Sequence, residues 1–60
     1  MCLSDVYTED THELLMTNTS RIRTEGGTII LTDLFGDTRR IEGELVSVDL
    51  EANEVVIRCA

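Results

Sequence analysis

Apolar positions in this chain come in short runs that alternate with polar ones, and no stretch repeats at the spacing of an amphipathic helix. Leu3 to Thr8 reads as a first strand, with Cys2, Ser4 and Val6 on one face and Leu3 and Tyr7 on the other. Glu9-Asp10-Thr11-His12 follows as a polar turn. Leu14-Leu15-Met16 is a brief apolar run, at most a short strand, which the turn formers Thr17-Asn18-Thr19-Ser20 are expected to end. Arg21 to Glu25 alternates again and meets the β-branched run Thr28 to Thr32 across Gly26-Gly27. Both glycines can take positive φ without strain, so the pair predicts a tight hairpin.

Asp33-Leu34-Phe35-Gly36-Asp37 supplies a second turn, and Arg39-Arg40-Ile41 leads into a long run that ends at Leu50. Gly43 interrupts that run, and a glycine inside a strand marks a bulge or a sharp bend. Glu51-Ala52-Asn53-Glu54 forms the last turn, with Asn53 as its left-handed residue, and Val55 to Arg58 is the final strand. Five or six short antiparallel strands without a helix predict an all-β fold, a small open barrel or a meander curled on itself. The absence of proline agrees, since most strand positions must donate to a ladder. No repeat, linker or low-complexity tract divides the chain, so residues 1–60 read as one domain.

Length makes that domain marginal. A chain of 60 residues buries only about 60% of the surface it exposes when unfolded, so disulfides, metal or oligomerisation are the usual supplements. Two cysteines are too few for a disulfide scaffold, and no basic-then-apolar start reads as a secretion signal, which points to the cytoplasm. No uninterrupted apolar run exceeds three residues, far short of the roughly 18 a membrane-spanning helix needs.

Charge narrows the function classes. Twelve acids face five bases, all arginine, for a net charge of −7 that repels phosphate backbones and attracts cations. Candidates for catalysis are few. His12, the one histidine, lies in a polar turn without a companion ligand or nucleophile, and Thr17 to Ser20 carries no glycine elbow or phosphate loop. The sequence therefore predicts binding rather than catalysis. Arg39-Arg40 near Arg21 or Arg23 could form a basic patch, but one phenylalanine, one tyrosine and no tryptophan leave no stacking platform for single strands. Two arginines paired with acids on an edge strand are the favoured reading.

The remaining chemistry sits at Cys2. The initiator methionine is normally removed when a small residue follows, and the mature chain would then begin with a free α-amine on Cys2. Amine nitrogen and thiolate sulfur close a five-membered chelate ring, and two such chain starts brought together offer the square-planar N,S set that Ni(II) and Cu(II) favour. Cys59 reads as an incidental thiol near a frayed end. A Cys2–Cys59 disulfide would require the first and last strands to lie side by side, and a reducing cytoplasm argues against it.

The start Met1-Cys2-Leu3-Ser4-Asp5-Val6-Tyr7, the central Thr28 to Gly36, Ile41-Glu42-Gly43, Val48-Asp49-Leu50 and Val55-Val56-Ile57 together resemble the CooT-type small nickel-binding proteins over the whole chain. The resemblance implies an SH3-like or Sm-like barrel, a homodimer, and Ni(II) held at its interface by Cys2. It further implies nickel storage or delivery to a nickel enzyme such as carbon monoxide dehydrogenase or to its maturation factor. His12 is a candidate for a minor part in the metal site, its other reading being a solvent-exposed turn residue. Members have also been labelled RNA-binding. The alternative is thus an RNA-binding or protein-adaptor surface around Arg21, Arg23, Arg39 and Arg40, against which the acidic balance speaks.

Overall fold

Tight turns carrying left-handed residues divide residues 3–60, the part of the chain that the computed structural model describes, into five strands. They are β1 (Ser4–Thr8), β2 (Leu14–Glu25), β3 (Thr28–Asp33), β4 (Thr38–Asp49) and β5 (Glu54–Cys59). Gly26 and Gly27, with φ of 51° and 86°, make the hairpin between β2 and β3. In the next turn the Asp33 carboxylate accepts hydrogen bonds from the Phe35 and Asp37 amides at 2.9 and 3.0 Å. Asp49 accepts from Glu51 and Ala52 in the last turn, where Asn53 has a φ of 54°. The described residues contain no helix, hence none long and apolar enough to cross a membrane.

The strands follow one another round a closed ring in chain order. Each consecutive pair is antiparallel, and β1 and β5 close the ring in parallel, from Asp5 beside Glu54 to Thr8 beside Ile57. The expected small all-β barrel is therefore present, closed rather than open and with one parallel seam.

Closure depends on two 12-residue strands that each serve two neighbours. The first part of β2 pairs with β1 and the remainder with β3, and the change falls at Asn18 to Ser20. Those turn formers were expected to end a short strand. Instead Asn18 alone takes a left-handed φ of 52°, the ladder slips at that point, and the strand bends and continues. The Ser20 hydroxyl fastens the bend by donating to the Thr32 and Asp33 carbonyls. In β4, Thr38 to Glu42 pairs with β3 and Gly43 to Asp49 with β5, so the bend lies at Gly43, where a glycine break was expected. A register shift between Leu45 and Ser47 adds a bulge.

The core holds Val6, Ile29, Leu31, Val55 and Ile57, with Leu15, Met16, Ile22 and Ile41 packed round it. Five fully buried apolar side chains among the described residues are few, and much apolar surface stays outside.

Arg58 ties three elements together on the surface. Its guanidinium donates to both Glu9 carboxylate oxygens at 2.9 and 3.2 Å and to Glu44 at 2.7 Å. Hydrogen bonding and the positive charge of Arg58 hold the Glu9 carboxyl below its usual pKa of 4.5. A depressed folded-state pKa contributes stability above the unfolded value and loses it as pH falls through the folded one. In an NMR titration Glu9 should have a midpoint below 4.5, and Arg58→Gln should bring it back to the ordinary range.

Candidate metal centre

Cys2 lies outside the described residues, and the structure defines the surroundings into which it leads. Ser4 pairs with Thr19 on β2, and the Asp5 amide donates to the Asn53 carbonyl at 3.0 Å. The start of β1 is thus held between the β2 bend and the turn joining β4 to β5. Asp5, Glu54 and Asp49 form one cross-strand row beside it. Asp5 and Glu54 are half-buried and Asp49 is exposed, and three carboxylates in register favour cations at this end of the barrel.

Exposed apolar side chains gather round the same point. Val6, Val55 and Val48 form the next cross-strand row; the first two are buried, while Val48 is 50% exposed. Leu50 at the end of the hairpin is 78% exposed, and Leu45 is similarly open farther along β4, opposite buried Ile57 and level with the other end of β1. Val48 and Leu45 therefore face the side on which the core lies and remain uncovered, because this half of β4 has β5 on one edge only. Across Ser4, Thr19 leads to Asp33 and the turn bearing Leu34 and Phe35, the latter 80% exposed. A strand pattern alone does not distinguish such uncovered positions from core. Their pairing register does.

Among the described residues, no group of three His, Cys, Asp or Glu side chains is arranged to hold a metal ion. His12 has a left-handed φ of 56° and stacks its ring on Tyr7 with centroids 4.3 Å apart. That places it past the end of β1 opposite Ser4. Cys59 is exposed and pairs with Gly43. The first and last strands do lie side by side, but their parallel orientation sets Cys59 at the far end of the seam from Ser4.

The arginines separate into two groups. Arg39 donates to the Leu15 carbonyl at 2.8 Å, and neither it nor Arg40 has a carboxylate partner among the described residues. The expected pairing with edge-strand acids is therefore not what forms, because Arg39 reaches across to a backbone oxygen instead. Arg21, Arg23 and Arg40 lie on the outer face of β2, β3 and β4, in rows centred on Ile30 and Thr32.

The family described as CO dehydrogenase accessory protein CooT matches residues 1–58, a span that takes in Cys2 and nearly the whole barrel. The chain belongs to the CooT family. An uncharacterized protein of Methanocaldococcus jannaschii is 33% identical over 57 residues, aligned over 95% of this chain and 96% of its own. A crystal structure of a protein described as a candidate CooT from Carboxydothermus hydrogenoformans superimposes with a TM-score of 0.89, covering 98% of each chain at 15% identity. At that identity the likeness shows that the two chains share a fold.

Proposed function

We propose that this protein binds Ni(II) through Cys2 in a homodimer and stores the ion or passes it to a nickel enzyme or its maturation factor. The carrying observation is the cluster of uncovered apolar side chains, Val48, Leu50, Leu34 and Phe35, round the start of β1. Exposed apolar side chains on both sides of one strand start support an interaction surface there. A second copy related by a twofold axis would cover it and bring both chain starts together. Two Cys2 residues, each giving a thiolate and an α-amine once Met1 is removed, then supply four donors of the type Ni(II) favours in a plane.

Membership of a family described as accessory to CO dehydrogenase, a nickel enzyme, supports the choice of metal. The role is binding rather than catalysis, performed in the cytoplasm. Composition again favours a cation, since the chain carries a net charge of −7.

The test is a Ni(II) titration of Met-processed protein beside Cys2→Ser, followed by thiolate-to-nickel charge-transfer absorption. One ion per pair of chains and a band absent from Cys2→Ser are expected, with binding weakening as pH falls because thiol and amine must lose protons. Equal binding by both proteins would remove Cys2 from the site.

A further inference from the structure

We propose that the outer face of β2, β3 and β4 docks a carboxylate-rich segment of a partner protein, gripped by Arg21, Arg23 and Arg40. The inference identifies a docking face for the delivery role above and rests on that role for its purpose, but its chemistry requires no metal.

Register builds the face. Ile29 and Leu31 are buried, so Ile30 and Thr32 between and beyond them point outward. Arg23 and Arg40 flank Ile30 from the two sides, and Arg21 and Thr38 flank Thr32 in the same way. Paired residues on neighbouring strands share a face, and strands lie about 4.8 Å apart, so Arg23 and Arg40 rise roughly 10 Å apart over a half-buried isoleucine. Arg21 stands two residues along β2 from Arg23 on the same face. All three arginines are exposed.

These charges are poorly compensated within the chain. Arg21 and Arg40 have no carboxylate partner among the described residues, and Arg23 reaches Glu25 only at 3.9 Å with both side chains more than half exposed. Arg58, by contrast, is held by two glutamates. Ten of the twelve acids and the other two arginines lie elsewhere, so three of the five positive charges stand together on a strongly negative protein. Glu25 and Glu42 flank Thr28 and close one end of the face, which leaves it open toward Arg21 and Thr38.

Three features select an acidic protein segment as the occupant. The guanidinium fork pairs bidentately with carboxylates. A long polyanion such as RNA would feel the net charge of −7 beyond the patch and finds no exposed aromatic ring among these strands on which to stack a base. A peptide short enough to lie over Ile30 and Thr32 meets the three arginines before it reaches Glu25 and Glu42. The described ladder also runs through β3 on both sides, so recognition there falls to side chains rather than to strand addition.

The experiment uses metal-free, 15N-labelled Cys2→Ser protein, so that failure of the nickel reading cannot disturb it. A synthetic peptide alternating glutamate and serine is added, and single-stranded RNA of matched length is added separately. Peptide-induced NMR shifts are expected within Arg21–Glu25, Thr28–Thr32 and Thr38–Glu42. The triple variant Arg21→Gln, Arg23→Gln, Arg40→Gln should bind about tenfold or more weakly, as expected for loss of charge-assisted hydrogen bonds, while Arg58→Gln should bind as before. All three substitutions are at exposed positions, and an unchanged circular dichroism spectrum verifies the fold. Absent or scattered shifts, or equal affinity of the triple variant, would overturn the proposal. So would RNA acting on the same residues at lower concentration, or concentration-dependent shifts there without any peptide, which would make a second copy the occupant.

Discussion

Gly43→Ala should remove most of the stability of this domain. A Cβ built on Gly43 collides with the Arg58 carbonyl oxygen and comes within 3.0 Å of the Arg58 carbonyl carbon and the Cys59 Cα. All three are backbone atoms, so no rotamer change relieves the contact. Gly43 also has a φ of 157°, outside the range L-residues favour. Nor can β5 step away cheaply, because the Gly43 amide donates to Gly27 and the Ala60 amide donates to Glu42, both at 2.9 Å, and these bonds hold the bend shut. Strain and overpacking of this kind cost about 2–5 kcal/mol together. A chain of 60 residues has roughly 3–9 kcal/mol in total. Thermal unfolding followed by circular dichroism checks it, and a midpoint equal to that of the parent would mean that the bend at Gly43 is not fixed by this approach.

Val48→Asp is expected to separate the proposed pair into single chains and to take the nickel site with it. Val48 is 50% exposed while its cross-strand neighbours Val55 and Val6 stay covered, so an aspartate there remains hydrated in a lone chain. In a pair that buries this face, two unpaired carboxylates would lose their water, a cost of several kcal/mol that a small interface cannot absorb. Light scattering should report the mass of one chain, and the charge-transfer band should weaken at a nickel level that saturates the parent. Leu14→Ser is the control: Leu14 is 47% exposed beside Tyr7, at the other end of β1. An intact pair with full nickel binding in Val48→Asp would rule this face out as the interface.

Residues whose effect is local were readable in the sequence, and residues whose effect depends on register were not. Gly26-Gly27, Asn53 and the Asp33–Asp37 turn act within a few positions, and each sits where its chemistry predicts. Thr17 to Ser20 has the composition of a turn, yet a turn and a bulge draw on the same residues. What separates them is whether the chain reverses or merely slips one position against its neighbour, and that depends on the partner strand. The apolar Leu45, Val46 and Val48 resemble core in the sequence, and only the pairing of β4 with one neighbour at a time leaves them open. Cys2 is chosen from donor chemistry and family resemblance, and it lies outside the described residues. The arginine face is legible only in part: the sequence offers Arg21, Arg23, Arg39 and Arg40 together, and only register puts three of them on one face across two strands separated by a third, while Arg39 turns to the Leu15 carbonyl.

The parallel seam also dictates when the domain can form. Each of the other four pairings joins consecutive strands and needs only a short loop, whereas the seam brings together segments as distant as Glu9 and Arg58, 49 positions apart. Closing so long a loop carries an entropic cost before any contact is gained, so the ring should shut last and set the folding rate. During synthesis β1 must wait with one edge unsatisfied until β5 has left the ribosome.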